Sequence, residues 1–307
     1  MELLDFFRFV IGASMLGYGA WSDYKIRRVP NQVWLFSGSI AALLLIYELS
    51  DWWSSLGYHV CALLFSTFVL FYNAFIDEYV IDDNHLILWR CAQVLAIFSA
   101  IYFLITVSSD DMSYDNYRLI DILSISVLMI LMYVWFYLGP TIGGADVKAI
   151  MTIGLVAPFT LSFGVDTFTA FETRGFPYPF VVFMNSLLLY LLIPLCLALY
   201  NVIQGNLEKP YFPIFFGTRM SIDEARKSFV WPMQQVIGSK VVFVAFVKNK
   251  EDYTSQWDKL ETSGIVNPWV TYKIPYIIPL AVAFVLSAFF GDLFTHYLIS
   301  PLNSLFD

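Results

Sequence analysis

The chain has 307 residues, 59% hydrophobic and 14% charged, with a formal net charge of −8 and a mean hydropathy of +0.67. A soluble domain carries roughly 25% charged residues, so this composition describes a polytopic membrane protein. The acidic balance argues against a nucleic-acid partner.

The first apolar segment runs from Leu3 to about Trp21. Its start is not basic and no small-residue cleavage site follows, so it reads as a membrane helix rather than a signal peptide. It ends in Ser22-Asp23-Tyr24-Lys25-Ile26-Arg27-Arg28-Val29-Pro30-Asn31, which places a carboxylate, Asp23, at a helix end beside three cations. Lys25, Arg27 and Arg28 anchor this loop in the cytoplasm by the positive-inside rule. Further apolar segments follow at about 32–49, 57–76, 86–107, 120–139, 147–163, 180–203 and 274–296, each near the length a bilayer requires.

Between the fifth and sixth segments stands Gly143-Gly144-Ala145-Asp146-Val147-Lys148. Two glycines and an alanine leave little bulk beside Asp146, so another backbone can approach it closely. An acid at the mouth of an apolar segment is costly and marks a functional candidate. The plainer reading is an N-cap Asp that starts a helix. Counting crossings from a cytoplasmic 23–31 loop brings Asp146 out on the face that carries Asp23. Lys148 and the nine basic residues from Lys209 to Lys273 fall on the same side.

From about 204 to 270 the membrane pattern stops. Ser221-Ile222-Asp223-Glu224 is a capping-box pattern opening a short helix through Lys227 or Ser228. Val241 through Val247, flanked by Lys240 and Lys248, reads as a strand too short to span as a helix. The expected fold is therefore an all-α polytopic membrane protein of about eight transmembrane helices, with a small mixed α/β cytoplasmic module. The expected division is 1–203, 204–270 and 271–307. Three scattered histidines and three cysteines without C-x-x-C spacing suggest no metal centre, and Cys61, Cys91 and Cys196 read as buried small hydrophobes.

Two carboxylates on one face of a membrane site fit the aspartic-protease arrangement. Acids a few ångströms apart share one proton. The ionised member deprotonates a water that attacks the scissile carbonyl, and the protonated member serves the carbonyl oxygen. This chemistry needs no cofactor and no metal.

In three stretches the chain resembles the archaeal type IV prepilin peptidases, the preflagellin (prearchaellin) peptidases of the G-x-G-D membrane aspartyl proteases. The stretches are Asp23 through Asn31, Gly143 through Lys148, and Trp269 through Pro279 with Gly291-Asp292 after it. The resemblance implies that Asp23 and Asp146 are the catalytic pair. It implies an active-site loop of Gly143, Gly144, Ala145 and Lys148. The implied partners are the lipid bilayer and pilin-like or archaellin precursors, whose basic leader is cut before an apolar helix at the cytoplasmic face of the cell membrane.

Two features depart from that pattern. Ala145 stands where the motif has its second glycine, and an extra helical hairpin lengthens the path between the two aspartates. The chain has neither the paired C-x-x-C insert of the bacterial relatives nor a recognisable S-adenosylmethionine site, so methylation is not carried over. Within the added hairpin, Asp77, Glu78, Asp82 and Asp83 form an acidic run, read either as a solvated loop or as an attractor of the basic leader. Presenilin- or signal-peptide-peptidase-like enzymes are the alternative within the class, but no convincing Pro-Ala-Leu segment or Tyr-Asp pair supports them. Outside it, a transporter or secretion-system subunit would place its acids nearer the midplane, within repeats.

Overall fold

The computed structural model describes residues 3–50, 53–76, 83–107, 114–138, 143–161, 176–238, 240–244, 254–273, 275–299 and 301. The chain forms two compact units, Met1–Leu188 with Pro275–Asp307, and Leu189–Ile274.

The first unit is helical. Its helices are α1 (Leu3–Ile26), α2 (Asn31–Glu48), α3 (Trp53–Ile76), α4 (Asp83–Val107), α5 (Tyr114–Leu138), α6 (Gly144–Val156) and the start of α7 (Tyr178–Ile203). After the second unit comes α11 (Ile277–Phe290), then a π-helical turn at Thr295–Ile299. Among the described residues, five helices are long and apolar enough to cross a bilayer: Leu3–Ile26, Gly57–Ile76, Leu86–Phe103, Leu119–Leu138 and Tyr178–Ile203. Three of the eight expected spans are lesser helices. Polar ends, Asn31-Gln32 and Glu48, dilute the 18 residues of α2. Helix α6 has 13 residues and is followed by Pro158, and α11 has 14 and ends at Gly291, whose φ of 74° stops it.

Helix α6 is the centre of this unit, packed by α1, α2, α3 and α5. Nine of its 13 residues are buried, from Val147 to Val156, so it is walled by protein on all sides. Close crossings depend on missing side chains: a Cβ on Gly12 would overlap Phe284 of α11, and one on Gly38 would overlap Phe71 of α3. Polar bonds join neighbouring helices, as Thr67 with Ser126 at 3.0 Å and Tyr133 Oη donating to the Leu70 carbonyl at 2.8 Å. Each such bond contributes about 0.6 kcal/mol inside a membrane protein. Cys61, Cys91 and Cys196 are exposed rather than buried; on apolar helices a small sulfur suits a lipid-facing surface as well as a core.

The second unit joins residues 189–203 of α7 to a small α/β body. Its elements are α8 (Pro213–Phe216), β1 (Thr218–Arg219), α9 (Ile222–Lys227), β2 (Val230–Pro232), β3 (Gln234–Ile237), β4 (Lys240–Phe243), α10 (Thr254–Thr262) and β5 (Trp269–Tyr272). One antiparallel sheet has the order β1-β5-β2, and β3 pairs with β4 as a hairpin. Helix α9 starts where the capping pattern predicts, with Ser221 Oγ accepting from the Glu224 N–H at 3.3 Å. The expected strand appears as β4; residues 245–247 of it lie outside the described residues. Ile222, Ala225, Val230, Trp257, Leu260 and Val270 make the core.

Candidate active site

Asp23 lies in the last turn of α1, half-buried. The helix stops because Arg27 turns left-handed at φ 56°, its N–H still bonded to the Asp23 carbonyl at 3.0 Å. Ser22 Oγ donates to the Arg28 carbonyl at 2.6 Å, folding the loop back onto that turn. Pro30, at φ −60° and ψ 136°, then starts α2. A carboxylate at a helix C-terminus faces the negative end of the macrodipole, so nothing in the helix itself favours Asp23 there.

Asp146 has the opposite setting. Gly143 is the N-cap of α6 and Asp146 its third residue, so the acid is not the cap that the plainer sequence reading made it. Its Oδ2 accepts the Gly143 N–H at 3.2 Å. A Cβ on Gly143 would lie 2.8 Å from that same Oδ2, so only glycine lets the carboxylate fold back. A Cβ on Gly144 would meet Phe136 at an ordinary 3.7 Å, and Ala145 packs partly buried against the apolar core.

Asp146 lies outside the five long spans. Burial pushes its carboxyl up to about 6; the Gly143 N–H opposes this, and the charge of Asp23 pushes further in the same direction. The two acids are thus near enough to act on one another.

Lys148, one half-turn beyond Asp146, donates from Nζ to Asn31 Oδ1 at 2.8 Å and sits 5.0 Å over the Phe75 ring. Gly144, Val147 and Lys148 form a stripe at spacings of three and four, and Asp146 lies off it. That stripe lines a cavity of about 220 Å³ with Tyr133, Phe136 and Asn73. Of the acidic run, Asp77, Glu78 and Asp82 lie outside the described residues, and Asp83 is the first residue of α4.

Two features escaped the sequence reading. Asn31 was read as the end of the loop after Asp23, and its side chain serves Lys148. Arg8, buried in α1, donates through Nη1 to the Leu155 and Val156 carbonyls at 3.1 and 3.0 Å, and through Nη2 to Glu48 at 2.8 Å. It therefore holds the far end of the helix that carries Asp146.

Residues 209–293 match the family model described as Archaeal Peptidase A24 C-terminus Type II. A preflagellin peptidase of Methanococcus maripaludis is 27% identical over 218 residues, 69% of this chain and 87% of that protein. Over residues 209–293 the chain is thus similar to the C-terminal region of the archaeal peptidase A24 family. Two further preflagellin peptidases of this kind are similar to it. That of Methanocaldococcus jannaschii is 26% identical over 64% of this chain and 82% of its own length. That of Methanococcus voltae is 25% identical over 54% and 70%. The A24 family match takes in the α/β body and α11 and stops short of α1 and α6, so the two acids rest on the geometry described above.

Proposed function

We propose that this protein is an aspartic endopeptidase of the cell membrane, with Asp23 and Asp146 as its catalytic pair. It cleaves the basic leader of archaellin or type IV pilin-like precursors at the cytoplasmic face. The observation that carries this reading is geometric: Asp23 in the last turn of α1 and Asp146 in the first turn of α6 stand on helices that pack together, with Lys148 of α6 bonded to Asn31 just after the Asp23 loop. The printed name of the relatives, preflagellin peptidase, supports archaellin precursors as the substrate class.

The pair shares a proton and titrates as a unit. Burial and the charge of Asp23 favour keeping that proton at Asp146, with Asp23 as the ionised member of the pair. Asp23 then draws a proton from a water placed between the carboxyls, and the water attacks the scissile carbonyl. The proton at Asp146 goes to the carbonyl oxygen as charge builds there. Collapse of the tetrahedral intermediate passes a proton to the departing amine and restores the pair.

This reading keeps α2, the part of α6 beyond Asp146, and α11 as crossings, making eight. Helix α6 is short, but α1 and α2 grip both its ends: Asn31 meets Lys148 at one, and Arg8 with Glu48 meets Leu155 and Val156 at the other. On that path Asp23 and Asp146 share the cytoplasmic face. Asp77, Glu78, Asp82 and Asp83 would attract the basic leader there. Each exposed pairing contributes only ~0.2–1 kcal/mol, so the effect is collective and weakens with salt.

The test is cleavage of a leader-bearing precursor in membranes by Asp23→Asn and Asp146→Asn, with insertion followed separately. Each should lose about 10³-fold or more, since either change breaks the proton-sharing unit. Near-normal cleavage by either variant would overturn the pairing.

A further inference from the structure

The end of α7 carries an apolar surface that no part of the α/β body covers. Leu195, Leu199, Tyr200, Val202 and Ile203 are all exposed, between 49% and 73%. The body begins against this same end. Asn201, fully buried, donates through Nδ2 to the Ile214 carbonyl at 2.9 Å and the Gly217 carbonyl at 2.7 Å, the two ends of turn α8. Ala198, one turn earlier, packs on the cluster of Ile214, Met233 and Trp269. Turn α8 buries Pro213 and Ile214 and leaves Tyr211, Phe215 and Phe216 exposed at 53%, 42% and 48%.

Depth decides what covers this surface. Helix α7 has 26 residues, about 39 Å at 1.5 Å per residue. A bilayer is about 30 Å thick in its hydrocarbon and 40–45 Å with its headgroup regions. Asn201, two residues from the helix end, then lies at headgroup level, and it pins α8 to that level. On the helical wheel Leu195 and Val202 share a stripe with Ala198, so lipid-facing side chains run along the docked turn on both sides. The surface of α8 continues a surface that already meets lipid.

We infer that α8 is an interfacial anchor: Tyr211, Phe215 and Phe216 sink into the headgroup–acyl boundary of the phospholipid bilayer beside the end of α7. Aromatic rings concentrate at this level of a membrane, with apolar bodies toward the chains and a polar tip outward. The α/β body is then held against the membrane surface. The inference rests on the multi-pass reading of α7 and does not require the protein to be a peptidase.

The experiment uses the full chain in phospholipid nanodiscs, with Cys61, Cys91 and Cys196 changed to Ser. Single cysteines at Phe216, and separately at Tyr211, carry an environment-sensitive fluorophore. Leu199→Cys is the lipid-facing control and Asp223→Cys, on α9, the aqueous one. Probes at 216 and 211 should be quenched by lipids spin-labelled high on the acyl chain, and should be several-fold less accessible to iodide than the probe at 223. Quenching at 199, with 216 and 211 as open to iodide as 223, would overturn the anchor and leave the membrane reading standing. Failure of lipid quenching at 199 as well would overturn both. Protection at 216 that appears only when a precursor is added would assign the surface to a protein partner and overturn the lipid assignment.

Discussion

Lys148 Nζ donates to Asn31 Oδ1 at 2.8 Å, joining the helix of Asp146 to the first residue after the loop that follows Asp23. The bond ties together the two segments whose acids must meet, with the ammonium held over Phe75. Lys148→Met keeps the apolar stem and removes the donor. We expect kcat to fall about 10- to 100-fold with KM little changed, the signature of lost orientation rather than lost binding. Asn31→Ala should do the same, and the double variant should cost little more than either single one. Additive losses would show that the bond does not position the acids.

The pH profile follows from Asp146. Its carboxyl is raised to about 6 by burial and by Asp23, so the shared proton is held below that value and lost above it. Cleavage should therefore decline on the alkaline side with an apparent pKa near 6, about tenfold per unit, and decline again at low pH when both acids are protonated. Measuring kcat/KM for one precursor between pH 4 and 8 in proteoliposomes checks this. An alkaline limb beginning above 8 would mean that the essential proton is not on Asp146.

How much of this was legible in the sequence depended on whether the signal was local. The acid at 146 announced itself through its small neighbours, and the short helix after Ser221 through its cap. Helix α1 was read to Trp21 and continues to Ile26, because exposed Tyr24 and Lys25 are compatible with a helix end that apolarity alone cannot see. Helix α6 was read over 147–163 and ends at Val156; Pro158 was the missed signal, since it disfavours a helical residue before it. Other contacts had no sequence signature at all. Asn31 reads as the break that ends a loop, yet its partner is 117 positions away. Nothing around Arg8 in the sequence points to its acceptors, which include two backbone carbonyls 147 and 148 positions on.

Small residues in the loop before Asp146 have separable roles. Gly143→Ala places a Cβ 2.8 Å from Asp146 Oδ2, so the carboxylate must leave the Gly143 N–H. Cleavage should drop at least tenfold with the fold intact, and the alkaline limb should move up, because the donor that opposes the raised carboxyl is lost. Gly144→Ala meets only ordinary contact with Phe136 and should stay active. Ala145→Gly should be tolerated, and Ala145→Leu should impair cleavage severely, since residue 145 packs against the core. An active leucine variant would show that position 145 does not need a small side chain.

Arg8 and Glu48 govern stability at the other end of α6. Arg8 is 2% exposed, Glu48 is 17% exposed, and the guanidinium also satisfies the last carbonyls of α6. Arg8→Met removes the guanidinium that the Glu48 carboxylate and two carbonyl oxygens of α6 share. Breaking a buried pair from one side typically costs about 3–5 kcal/mol. Glu48→Gln should cost less, because the carbonyl oxygens of Leu155 and Val156 still receive the guanidinium. Changing both residues to Met should be milder than the sum of the single changes, as no stranded charge is left behind. Thermal unfolding in detergent ranks the four proteins. An Arg8→Met protein that melts within a degree of the parent would show that the cluster contributes nothing to holding α6 in place.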